Sequence, residues 1–270
     1  MSSPSEFKTL IVEAAGPIGC LTLNRPGKLN PLSTATLREL ADAARWFDTQ
    51  RHVKVVIVSG AGRAFSAGAD LSSFGDLNSN DGLSARDAAE TGWLMARAFE
   101  QMRAVTIAAL WGPCVGGGLV LAGVCDFRIA ASDTYFSIPE VDLGIPLAWG
   151  GIPRLVRELG PAITRELVMT CRPFSAEEAK SLGFLNRVVM AETNVPSAVL
   201  TEAKQLADNL ATKSSLVLYS SKTSINAATE AMAPAGSGWS DADSLVAALG
   251  DAESRERGSE YLQRVNTRSS

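Results

Sequence analysis

The stretch Val105-Thr106-Ile107-Ala108-Ala109-Leu110-Trp111-Gly112-Pro113-Cys114-Val115-Gly116-Gly117-Gly118 decides the fold. Its first six residues form a short apolar run of the kind that makes a strand buried on both faces. Trp111-Gly112-Pro113 then turns the chain, and the triglycine opens a short helix. A second glycine-bearing segment, Phe65-Ser66-Ala67-Gly68-Ala69-Asp70-Leu71, lies about forty residues upstream, after another buried strand at Val53-Lys54-Val55-Val56-Ile57-Val58. Both segments supply bare backbone amides where the chain leaves a strand.

The same pattern extends in both directions. Alternation in Phe7-Lys8-Thr9-Leu10-Ile11-Val12 and in Ile18-Gly19-Cys20-Leu21-Thr22-Leu23, split by Ala14-Ala15-Gly16-Pro17, predicts a hairpin. Ser33 precedes Leu37, Leu40, Ala41, Ala44 and Phe47, one face of a helix with Ser33 as its N-cap. The polar run from Ser72 to Asp87 reads as a mobile surface loop, and Arg86 to Arg103 as a helix. Asp126-Phe127-Arg128-Ile129-Ala130 and Tyr135-Phe136-Ser137-Ile138 are strand-like and lead to Pro139-Glu140. Gly150-Gly151 and Gly160-Pro161 punctuate helical pieces, and Ser175-Ala176-Glu177-Glu178 is a capping box. Strand, second strand, then helix, repeated, predicts an α/β fold of stacked ββα turns. We expect a core over residues 1–195 and a helical region over residues 196–270.

The chain has 270 residues, is 46% hydrophobic and carries a formal charge of −4, enough for a buried interior and without the basic excess that follows nucleic-acid phosphates. Cys20, Cys114, Cys125 and Cys171 are widely spaced and read as reduced core thiols. The first residues lack the charged and apolar regions of a secretory leader, and no apolar run reaches eighteen residues, so the expected location is cytoplasmic.

Glycine lacks Cβ and lets a ligand approach its N–H. Two such amides from separate strand ends converging on one oxygen would make an oxyanion hole, stabilising developing negative charge without a catalytic side chain. No GxxxxGK[ST] loop occurs, and no GxGxxG follows a strand. Ala64-Phe65-Ser66-Ala67-Gly68 falls short of a nucleophile elbow, and the single histidine, His52, reads as surface structure. One histidine also argues against a histidine-rich metal centre.

Five segments, in order, resemble successive motifs of the crotonase (enoyl-CoA hydratase/isomerase) superfamily. They are Asn24-Arg25-Pro26-Gly27-Lys28-Leu29-Asn30-Pro31-Leu32, Ala64-Phe65-Ser66-Ala67-Gly68-Ala69-Asp70-Leu71, Val115-Gly116-Gly117-Gly118-Leu119, Cys125-Asp126-Phe127-Arg128-Ile129-Ala130 and Phe136-Ser137-Ile138-Pro139-Glu140. The resemblance runs from about Phe7 to Asn226. It implies a ββα spiral, a C-terminal helical region used in trimer assembly, and homotrimers or dimers of trimers. It also implies a coenzyme A thioester as substrate, with no further cofactor, metal, nucleic acid or membrane partner. The N–H groups of Ala69 and Gly117 would then hold the thioester carbonyl.

The resemblance further assigns substrate contacts to Ala67, Asp70, Leu71, Ser72 and Gly116, the 69–72 segment meeting pantetheine and adenine. Lys28, in the loop after Pro26, and Lys222 would meet CoA phosphates, Lys222 from a neighbouring subunit; as isolated lysines both are ordinary solvated charges. Many hydratases carry lysine at the Ser72 position, a charge missing here. Hydratases also carry two glutamates, whereas this chain has Val120 at the first position and keeps Glu140 at the second. One carboxylate suits moving a proton from C2 to C4 better than adding water. The pattern resembles the Δ3,Δ2-enoyl-CoA isomerases, with Glu140 as proton shuttle.

An apolar setting from Val120, Ile145, Leu147 and Trp149 would raise the Glu140 pKa. Trp149 either fills part of the acyl pocket, which would exclude long chains, or packs in the core. Asp142 would share a face with Glu140 if the segment were extended. Hydration or another crotonase reaction, and non-catalytic acyl-CoA binding, are the competing readings.

Overall fold

The expected antiparallel hairpin, β1 (Leu10–Glu13) and β2 (Ile18–Leu23), opens a computed structural model that describes residues 6–71, 82–190, 194–235 and 239–269. The ladder starts at Leu10 rather than Phe7 because the amides of Lys8 and Thr9 donate to the Glu39 carboxylate. Helix α1 (Thr34–Thr49) is capped by Ser33, whose Oγ accepts the Thr36 N–H at 3.2 Å, and buries the apolar face read from its spacing. There follow β3 (Val55–Gly60), α2 (Gly82–Gln101), β4 (Val105–Leu110), β5 (Pro113–Val115), α3 (Gly117–Gly123), β6 (Phe127–Ala131) and β7 (Tyr135–Ser137). Helix α4 (Gly151–Thr170) bends at Gly160, where φ is 76°. β8 (Phe174–Ser175), α5 (Ala176–Ser181) and β9 (Arg187–Val189) complete the mixed part. At Ser175 only half of the capping box forms: its Oγ accepts the Glu178 N–H, while the Glu178 carboxylate pairs with Arg172 instead of reaching back.

One sequence expectation is corrected. The loop read over 72–87 cannot extend to Asp87, because α2 already begins at Gly82; its first turns are tied by Arg86 to Glu90 and to Asp243. Residues 72–81 lie outside the described residues.

Two sheets result. The larger has order β1-β2-β3-β4-β6-β9 and is parallel beyond the first hairpin; the smaller is β5-β7-β8, with β5 and β7 parallel. Two turns of the chain each give one strand to the large sheet, one to the small sheet, then a helix: β4-β5-α3, then β6-β7-α4. This is the stacked ββα arrangement. The strands β3 and β4 are buried along their whole length, which explains why they read as continuous apolar runs rather than alternating ones. The main core lies on one face of the large sheet around Leu40, Phe47, Phe99, Leu119 and Phe136. On the other face Val199, Ala203 and Ala207 of α6 (Val195–Ala211) pack against Val55, Ile107 and Ile129.

Helices α7 (Ser215–Met232), α8 (Trp239–Gly250) and α9 (Ala252–Ser269) close the chain. Ala242 and Leu245 of α8 pack against Ala89 of α2 and Ile145, forming a small separate apolar cluster. No helix of the described residues is long and apolar enough to cross a membrane.

Candidate active site

The segment around Asn30 is a scaffold. Leu29 and Asn30 both take left-handed backbone angles, φ 60° and 53°, a conformation asparagine tolerates better than leucine. The buried Asn30 amide donates to the carbonyls of Ala61 and Ala64, at 2.8 and 2.9 Å, while its Oδ1 accepts the Arg25 N–H. Ser66 Oγ donates to Asn30 O and accepts the Gly68 N–H at 3.1 Å. Backbone bonds from Ser66 N to Pro113 O and from Val115 N to Ser66 O stitch this segment to β5. The two glycine-bearing loops of the sequence are thus laid side by side.

That stitching leaves two donors unused. Gly68 N–H bonds to Ser66 and Asp70 N–H to Leu32 O, whereas the Ala69 N–H between them has no acceptor among the described residues. Gly116 N–H donates to Ser137 O at 2.8 Å, and Gly117 is the first residue of α3, where an N–H has no intrahelical partner. Ala69 and Gly117 line the same cavity as Glu140.

Glu140 sits one residue beyond Pro139 in a tight turn, with Leu143 N–H bonded to Pro139 O and Ile145 N–H to Glu140 O. The turn drives its side chain inward. Glu140 is buried, its Oε2 has no hydrogen-bond partner among the described residues, and burial pushes the carboxyl up to about 7, an effect only partly offset by its own backbone N–H. Gly116, at φ 50°, is required here, because a Cβ at that position would run into the carboxyl group. Val120, Ile145, Leu147 and Trp149 line the cavity around Glu140, which is the apolar setting read from the sequence. Among the described residues, Glu140 is the one carboxylate on its wall.

The Trp149 indole lies against Gly92 of α2 and Gly117 of α3. Leu245 of α8 closes the cavity from the C-terminal region of the same chain. Two residues whose N–H groups find no acceptor among the described residues thus line one cavity with a buried carboxyl.

The remaining candidate residues are more dispersed. Lys28 is exposed in a short 3-10 turn, Pro26–Lys28. Ala67 is exposed and its N–H donates to Leu29 O, while Leu71 is 37% exposed at the end of the segment. Asp70 pairs with Arg25 at 2.8 Å. Ser72 lies outside the described residues. Lys222 does not join the cavity: its ammonium is buried, donating to Asp126 Oδ2 at 2.8 Å and to Ala104 O at 3.1 Å. Asp142 is exposed beside Arg264 of α9 and away from Glu140, because the segment is a helical turn rather than an extended one. That removes the premise that placed the two carboxylates on one face.

Sequence reasoning missed Leu245 and Asp241, whose carboxylate accepts the Gly150 N–H at 2.7 Å. Ala242, Leu245, Val246 and Leu249 recur at helical spacing, a signal that α8 has a buried face. Nothing in that spacing says which surface the face meets.

The family model "Enoyl-CoA hydratase/isomerase" matches residues 13–266. The chain is 36% identical over 224 residues to the probable enoyl-CoA hydratase echA8 of Mycobacterium bovis, covering 83% of each chain. It is 36% identical over 221 residues to the crotonyl-CoA hydratase of Syntrophomonas wolfei subsp. wolfei, covering 82% of each. A solved enoyl-CoA hydratase from Mycobacterium avium subsp. paratuberculosis superposes with a TM-score of 0.84 at 22% identity, over 96% of this chain and 100% of that one, and so speaks to the fold. A family match over nearly the whole chain, on a fold whose two glycine-bearing loops meet at a buried glutamate, makes this protein a member of the enoyl-CoA hydratase/isomerase family, a crotonase-type acyl-CoA enzyme.

Proposed function

We propose that the enzyme shifts a double bond, converting 3-enoyl-CoA to 2-enoyl-CoA, with Glu140 carrying the proton and the Ala69 and Gly117 amides holding the thioester oxygen. The observation that supports this reading is the single carboxylate on the cavity wall, Glu140, with Val120 also lining it. Ionised Glu140 takes a proton from C2, and the electron pair delocalises through the carbonyl to give a dienolate. The oxygen gains charge in that step, so two preoriented N–H donors favour the transition state over the neutral thioester. Protonated Glu140 then returns the proton at C4, leaving the double bond between C2 and C3. A carboxyl poised at about 7 is matched to giving and taking a proton near neutrality.

Hydration is the second reading, favoured by the printed names of the relatives. It needs a group to activate water and commonly another to deliver the proton. Asp142 is badly placed to be that second group. Incubating the protein with short 3-enoyl- and 2-enoyl-CoA thioesters, followed by mass and by conjugated-thioester absorbance, separates the readings. Conjugation without added mass, lost in Glu140→Gln, is the expected outcome. Addition of water to the 2-enoyl thioester by the wild type would replace isomerisation with hydration, and binding without turnover would remove catalysis.

A further inference from the structure

Trp149 is held in a conformation that a bulky residue rarely adopts. Its φ is 62°, followed by 67° at Gly150, so two consecutive residues lie in the left-handed region. Three interactions pin this turn: Asp241 of α8 accepts the Gly150 N–H at 2.7 Å, and Arg154 Nη1 donates to the carbonyls of Trp149, at 3.3 Å, and Gly150, at 3.0 Å. Arg154 is in turn fixed by Glu100 at 2.6 Å. Strain kept in place by surrounding contacts points to a job for the side chain it positions.

The ring's surroundings show what that job is. Both helices that flank the indole present glycine to it, Gly92 on α2 and Gly117 on α3, and a Cβ at either position would collide with the ring. Gly117 also lines the cavity with Ala69 and Glu140. The indole therefore stands directly beside the reacting centre rather than at the far end of a tunnel. Ile145, Leu147 and Leu245 close the cavity around it. The cavity volume left is about 30 Å³, room for about two waters.

We propose that Trp149 is the specificity-determining residue of this enzyme, a plug that ends the acyl pocket next to Gly117 and restricts the substrate to short-chain acyl thioesters. The proposal rests on the acyl-CoA reading above, but not on which reaction follows binding. A longer chain would have to displace the indole, which is wedged between Gly92 and Gly117.

Saturated butyryl-CoA and decanoyl-CoA, which cannot be isomerised or hydrated, are the probes, titrated calorimetrically into the wild type, Trp149→Ala and Trp149→Phe. The wild type is expected to bind butyryl-CoA at least about tenfold more tightly than decanoyl-CoA, by the scale on which an apolar pocket rejects extra methylenes. Trp149→Ala should remove or invert that ratio while leaving the affinity for CoA itself unchanged, and Trp149→Phe should fall between. Equal binding of the two thioesters by the wild type overturns the proposal without needing any variant. So does an unchanged ratio in Trp149→Ala. An enzyme that isomerises 3-butenoyl-CoA but shows no chain-length preference loses the plug and keeps the reaction. One that discriminates chain length but adds water keeps the plug and loses isomerisation. If neither thioester binds, both fall.

Discussion

Replacing Glu140 with glutamine should make the protein more stable above neutrality while removing its activity. Burial holds the carboxyl at about 7 in the folded chain against an ordinary value near 4.5, and at ~1.4 kcal/mol per pH unit that gap amounts to ~3 kcal/mol. Below about pH 4.5 the group is protonated in both the folded and unfolded states and contributes no difference. Between about 4.5 and about 7 the unfolded chain has lost the proton and the folded chain retains it, so the wild type loses stability as pH rises and levels off above about 7. Glutamine has nearly the same shape and no charge to desolvate. The stability difference between Glu140→Gln and wild type should therefore be small at about pH 4.5 and open to ~3 kcal/mol in favour of the variant at about pH 8. Urea unfolding of both proteins at matched concentration across that range measures it directly. A difference that stays constant with pH, or that turns against the variant on the alkaline side, would refute the claim that an unpaired buried carboxylate sits beside Gly116.

Three further outcomes follow from the same geometry. With ionised Glu140 as the proposed base, kcat/KM for isomerisation should rise about tenfold per pH unit below about 7 and flatten above it; a flat profile across this range would exclude that role. Gly116→Ala puts a methyl group against the Glu140 carboxyl at a backbone angle of 50°, with an expected loss of ~10² in kcat from displacing the base and little change in fold by circular dichroism. Lys222→Met removes the ammonium from a part-buried Asp126 that keeps the Thr106 N–H and hydroxyl, an expected loss of about 1–3 kcal/mol in unfolding free energy with KM for the thioester unchanged. A raised KM with unaltered stability would instead return Lys222 to the CoA phosphates.

Strands β3, β4 and β6 were legible as buried runs separated by turn residues, whereas Pro113, read as part of a turn, begins the three-residue β5, too short to leave a pattern. The positions of Ala69, Gly117 and Glu140 followed from motif resemblance, and the apolar shell of Glu140 from residues close to it in sequence. The start of α2 was misplaced because Ser84, Arg86 and Asp87 look like loop residues on their own; what supports the helix is its packing against α8, far along the chain. Asp142 was misjudged because a two-residue spacing puts side chains together only in extended backbone, and the Leu143-to-Pro139 bond makes this segment helical. The partnership of Lys222 with Asp126 is a long-range pairing, with no local signal in either residue's neighbours.

The closure of the cavity by Leu245 has a bearing on how the enzyme comes into being. Its walls are contributed by positions as far apart as Ala69 and Leu245, so the enclosure is among the last parts of the molecule that a growing chain can complete. On the ribosome the sheets and the glycine loops can assemble while the final helices are still being synthesised. Until α8 emerges and docks, the wall that Leu245 gives the Glu140 cavity is missing. Truncation before residue 239 should therefore yield a chain that retains much of its core and all three chemical groups, yet has no working catalyst.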